Sequence, residues 1–156
     1  MHPLTMTHKR SFDMLDRDTK LEQFLETMDW FVPWATLDAL IDPYYPQDEH
    51  PSGSTRPSLG SHVMLRIYFL QQWFSLSDAG AGQALHNSAV LRRFAGLHHS
   101  PEQVPDENAI LHFRHLLRKH LLTDRITDTV NLYLEVKGIK IAAGSIVECA
   151  IGHASN

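Results

Sequence analysis

The residues best suited to chemistry lie in the stretch VPDENAILHFRHLLRKH, from Val104 to His120. His115, Arg118 and Lys119 gather cationic groups near its end. Arg114 stands on their flank, and Asn108 and His112 come before them. Such groups at helical spacing can hold phosphates, and arginine and asparagine can also read base edges in a DNA groove. Arg92-Arg93 offers two more cations upstream. The same pattern equally suits a helix face that meets only water. Arg114 could instead pair with an acid such as Glu107 or Asp128. Arg92 and Arg93 close a short helix, where positive charge also favours the carbonyl end.

Metal chemistry has less support. His112 and His115 share a helix face without a neighbouring carboxylate, and His98-His99 fall in a loop. Cys149 is the single cysteine, so neither a zinc cluster nor an internal disulfide can form.

Helices must position these residues. Asp106, just after Pro105, can cap a helix over 106–120. Ile110, Phe113, Leu117 and Leu121 recur at helical spacing and should face a core. Upstream, 59–74 is apolar nearly all round and reads as a buried central helix opened by Ser58. Arg66, its one charge, must reach the surface or a partner. Short helices follow over 78–86, capped by Ser77-Asp78, and 89–95, capped by Ser88 and stopped by Gly96. Gly80 and Gly82 weaken the first and could permit a close crossing.

At the front, residues 1–15 read as a loose arm and Asp16 or Asp18 opens a helix to about Met28. Pro33 then precedes a helix over 34–41, and Pro43 begins a turn-rich loop. Thr123 should cap a last helix, 124–137, with Ile126, Val130 and Leu134 inward and Gly138 as its stop. The period then changes. Residues 139–151 are β-branched, and Gly138–Ala142 and Ser145–Ile151 read as two short strands joined by a turn at Ala143-Gly144. The expected fold is mainly α, a helical bundle over 16–137, followed by a short β ribbon over 138–156.

The bulk numbers suit one domain. The chain has 156 residues, 43% of them hydrophobic and 21% charged. No long apolar run suggests a membrane span or a secretory signal, so a soluble cytoplasmic protein is expected. The net charge of −4 argues against a polyanionic partner, but the acidity is local. Residues 1–50 carry ten acids and four bases, whereas 51–156 carry eight acids and ten bases.

Several stretches then fall into a known order. A Pro-Trp near the front precedes an acid-Pro-Tyr-Tyr-Pro turn. After it come MLRIYFLQQWFSLSD, ALHNSAVLRRFAGL, VPDENAILHFRHLLRKH and finally GSIVECAI. This resembles the N-terminal half of bacterial insertion-sequence transposases of the IS-five type, in the DDE class.

The resemblance implies a helical front region with helix-turn-helix character that binds the element's terminal inverted repeats in double-stranded DNA. It implies assembly as a homo-oligomer, or a mixed oligomer with intact transposase. It also implies a ribonuclease-H-like domain to follow. The family's first catalytic aspartate falls on Glu148 here, and the alanine after it on Cys149. DDE enzymes hold two divalent ions about 3.5–4 Å apart between carboxylates, and one carboxylate cannot place both. Magnesium therefore belongs to the complete enzyme, and no catalytic set or cofactor is expected in a truncated chain.

Within the helix-turn-helix, 106–120 is the expected reading helix behind 77–86 and 89–95, although their connection is longer than the usual turn of about 3–4 residues. The alternative pairs 106–120 with 124–137, whose Asp124, Asp128 and Glu135 suit phosphate less. A helical module that only dimerises, or a decayed reading frame, would share these features. The purified chain is expected to give no strand-transfer or nicking product with magnesium or manganese. Product formation would contradict the reading.

Overall fold

Prolines and glycines set the breaks in a chain that is otherwise largely helical. The structure, a computed structural model, describes residues 4–46, 59–97 and 101–138, with side chains from Arg17 onward. Helix α1 (Leu4–Phe31) begins well before the expected start near Asp16. The backbone of the stretch read as an arm is thus helical from Leu4. No proline or glycine falls between Leu4 and Val32 to stop a helix. Its second half buries Leu25 and Met28.

Pro33 leads into α2 (Trp34–Ile41), where Leu37 and Ile41 are fully buried. A 3-10 turn containing Pro43, Asp42–Tyr44, follows. Helix α3 (Ser61–Phe74) begins after Gly60. The cap expected at Ser58 lies outside the described residues. Val63, Met64, Leu65, Ile67, Phe69, Leu70 and Trp73 of α3 are all buried, as an all-round apolar helix requires.

Helices α4 (Asp78–Asn87) and α5 (Ala89–Ala95) carry the expected caps. Ser77 Oγ accepts from the Gly80 N–H at 2.9 Å, and Ser88 Oγ from the Leu91 N–H at 3.2 Å. A Cβ on Gly80 would sit 2.9 Å from the Ser77 hydroxyl, so this glycine makes room for the cap. One on Gly82 would meet the Pro105 carbonyl at an ordinary 3.8 Å. Neither glycine therefore serves the close crossing expected from sequence.

Helix α6 (Glu107–Lys119) opens with Asp106, whose carboxylate accepts from the Ala109 N–H at 2.8 Å. Ile110, Phe113 and Leu117 are buried as expected, but Leu121 is 75% exposed. Its backbone is left-handed (φ 54°), which breaks the helical period and turns the wholly buried Leu122 inward instead. Helix α7 (Leu122–Val136) consequently starts before Thr123, which lies in its first turn and is not the cap. Ile126 and Leu134 are buried, and Gly138 (φ 74°) follows the helix end.

Helix α3 is the hub. It packs against α2, α4, α5 and α6, while α7 lies on α2 and α6, and α1 on α5. Trp73 meets Phe24 of α1 at 5.6 Å, Phe69 at 5.4 Å and Phe94 of α5 at 5.8 Å between ring centroids. No strand occurs among the described residues. Of the ribbon expected over 138–151, Gly138 is in a turn, and the rest lies outside the described residues.

Trp73→Ala should therefore cost about 3–5 kcal/mol through the cavity it leaves. In a domain of this size, calorimetry should show a thermal midpoint lowered by on the order of 10 °C.

Candidate nucleic-acid interface

Asn108, His112, His115 and Lys119 are spaced four, three and four residues apart, so they form one row along α6. All four are exposed, and the row lies opposite the buried stripe of Ile110, Phe113 and Leu117. Arg118 is exposed beside the row. Arg118 and Lys119 occupy the last turn of α6, where their charge also favours the carbonyl end of the helix.

Arg114 is held away from this row. Its Nε and Nη2 donate to the two carboxylate oxygens of Asp78 at 2.7 and 2.6 Å, a bidentate pair tying α6 to α4. Gln71 of α3 donates its Nε2 to the same Asp78 carboxylate at 2.9 Å. The partner is thus neither Glu107 nor Asp128 but an acid 36 residues upstream. The hydrogen bonds from Arg114 hold the Asp78 carboxyl below its ordinary range despite partial desolvation, and Gln71 adds to the effect. The same hydrogen bonds push the Arg114 guanidinium up.

Arg92 is likewise engaged. Its Nη1 donates to the carbonyls of Leu85 and His86 at 2.8 and 2.7 Å, closing the last turn of α4. It serves the preceding helix through hydrogen bonds as well as lying near the end of its own. Arg93 faces Glu22 of α1 at 3.7 Å, a loose, exposed pair. The eight candidate residues therefore divide. Asn108, His112, His115, Arg118 and Lys119 share the exposed side of α6. Arg92 and Arg114 bind internal partners, and Arg93 lies towards α1.

Two features were not legible as site elements. Arg66 resolves its charge by pairing with Asp29 at 2.7 Å and donating to the Phe94 carbonyl at 3.1 Å. Its guanidinium also lies 4.3 Å from the Trp34 ring centroid. A lone arginine in an apolar helix was the signal, but its partners come from elsewhere in the chain. Tyr44 stacks on His120 at 4.4 Å and 29°, placing a partly exposed phenol at the end of α6. On α3, burial pushes the Tyr68 phenol up, opposed by Arg114 and Arg118 and by a hydrogen bond with Thr123.

The connections bear on the helix-turn-helix register. Only His120 and Leu121 separate α6 from α7, whereas eleven residues, 96–106, separate α5 from α6. Turn length favours α6 and α7 as the tight pair, but Asp124, Asp128 and Glu135 are exposed on α7. Facing phosphate, those acids would repel it. Among the described residues, no three histidine, cysteine or acidic side chains come together to hold a metal ion. They do not fit a two-ion centre, and Glu148 lies outside them. None of the described helices is long and apolar enough to cross a membrane.

Residues 13–116 match the family described as Transposase domain (DUF772), from within α1 to near the end of α6. No solved structure matches the chain.

The lowered Asp78 carboxyl sets a pH test. Its contribution to stability is fully present above the unfolded aspartate value, about 3.9, and is lost as pH falls through the lower folded value. Asp78→Asn should destabilise by about 2–3 kcal/mol at neutral pH, because it leaves Arg114 without its anion. Urea unfolding at several pH values should show the gap to wild type closing in acid below about pH 4.

Proposed function

The chain is a member of the transposase-domain family, and we propose that its helical domain recognises DNA, with α6 as the helix that enters the groove. The observation that carries this reading is the exposed row of Asn108, His112, His115 and Lys119, with Arg118 beside it, on a helix whose opposite side is locked into the core. Lys119 and Arg118 supply phosphate contacts, and Asn108 supplies a two-sided amide of the kind that reads an adenine edge. The histidines between them add donors to the same row. The acids Glu22 and Asp29 of α1 are met by Arg93 and Arg66, which reduces their repulsion of a polyanion.

The order of motifs supports the narrower assignment to insertion-sequence transposases of the IS-five type, in the DDE class. On that reading the bound DNA is the terminal inverted repeat. Two element ends call for two copies, as a homo-oligomer or together with intact transposase. The helical domain itself grips DNA and does not cut it. Divalent-metal chemistry, with magnesium, belongs to the complete catalytic centre, where Glu148 stands at the family's first acidic position.

A mobility-shift titration at several salt concentrations tests the reading. Binding should weaken steeply with salt, because each neutralised phosphate releases counterions. Lys119→Ala should reduce the slope of log K against log salt by about 1 while leaving helix content unchanged. Asn108→Ala should relax sequence preference by about 1–3 kcal/mol with little change in that slope. Unchanged affinity in Lys119→Glu and Arg118→Glu would remove α6 from the interface. Self-association without DNA binding would favour a dimerisation module.

A further inference from the structure

Among the described residues, four have a left-handed backbone, each at or just past a helix end. Gly96 (φ 89°) follows α5 and Gly138 (φ 74°) follows α7, the usual choice where a helix stops. Ser75 (φ 53°), a small residue, follows α3. After α6 the position holds Leu121 (φ 54°), a bulky side chain that is also 75% exposed. A left-handed leucine is costly, and burial of its own side chain does not offset the cost here. Leu132 and Val136 are exposed too, but they lie on the regular surface of α7, where no such backbone cost arises.

The corner that carries Leu121 is held on both sides. His120 before it is stacked by Tyr44, with ring centroids 4.4 Å apart. Leu122 after it is wholly buried, and Thr123 shares a hydrogen bond with the Tyr68 phenol of α3. The tyrosine pair of the turn divides at this corner. Tyr45 goes inward, its ring edge-on to Phe113 and its hydroxyl donating to the Leu59 carbonyl. Tyr44 goes outward and stays 39% exposed. Leu121 thus projects from a fixed support with an accessible aromatic ring on the residue before it.

Arg118, Lys119 and Arg125 are exposed near this corner in the chain, against the acids Asp42 and Asp124. The Asp42 carboxylate already accepts from Ser61 Oγ at 2.7 Å. An apolar tip and an aromatic ring among cations suit a nucleic-acid base beside its phosphates. We propose that Leu121 and Tyr44 form a wedge that receives one unstacked base at the edge of the bound duplex. Leu121 fills the gap in the base stack, and the displaced base extends the Tyr44–His120 stack. The inference rests on α6 being the DNA-facing helix. It adds the kind of DNA preferred, a duplex with an unpaired nucleotide, where little unstacking remains to be done.

The full chain is titrated by fluorescence anisotropy into two duplexes of the same sequence, one fully paired and one with a single-nucleotide bulge. At low salt the bulged duplex should bind about tenfold more tightly. Leu121→Gly suits the left-handed backbone and so keeps the fold, and in it the ratio should fall to about one. Its salt dependence on the paired duplex should stay as in wild type, because the cations of α6 remain. Tyr44→Leu keeps an apolar side chain without the ring and should lower the ratio severalfold. Leu132→Ala, on the exposed surface of α7, should leave it at about tenfold. A wild-type ratio near one, with both duplexes bound, would overturn the wedge while leaving α6 as the reading helix. So would a Leu121→Gly chain that keeps the full preference. Failure to bind either duplex would overturn the DNA reading and the wedge with it. Sedimentation of the DNA-free chains gives a second check. Self-association that Leu121→Gly abolishes would assign the corner to a second copy and likewise overturn the proposal.

Discussion

The bidentate pair between Arg114 and Asp78 is the contact on which the disposition of α6 depends. It joins three helices, because Gln71 of α3 donates to the same carboxylate that Arg114 of α6 grips on α4. Asp78 is also the first residue of α4, directly after its serine cap, where a negative charge favours the free N–H groups of the first turn. One carboxylate thus stabilises a helix start and a tertiary crossing together. The pair is largely shielded from water, so its geometry is held more tightly than that of a surface ion pair. With the Ile110, Phe113 and Leu117 stripe buried as well, the opposite row of α6 has little freedom in where it points.

The same logic runs through the other internal cations. Arg66 lies in the most buried helix yet finds a carboxylate, a backbone carbonyl and two aromatic faces. Arg92 satisfies carbonyls at the end of α4 that lie beyond the reach of intrahelical donors. These arginines connect elements and leave the exposed row on α6 as a compact group of donors.

Much of the architecture was legible because it rests on short-range rules. The serine caps at 77 and 88, the aspartate cap at 106, and the stops at Gly96 and Gly138 involve neighbours only a few residues apart. The all-round apolarity of 61–74 required a central helix, and α3 is one. The early start of α1 was obscured because its first half has a polar, unpatterned sequence, whereas the absence of any breaker permitted a helix. The displacement of Leu121 by Leu122 was hidden for a different reason. A left-handed non-glycine residue is costly, and only surrounding packing imposes it.

The amino-acid order alone determined the helical class, most helix ends, the buried stripe of α6 and the candidate cations, since periodicity and capping act within a turn or two of chain. Tertiary structure decided which cations stay outside. The choice of Asp78 as Arg114's partner, of the α4 carbonyls for Arg92 and of Asp29 for Arg66 depends on how separate helices come together. Those pairings depend on distance in space, which the spacing of residues along the chain does not encode.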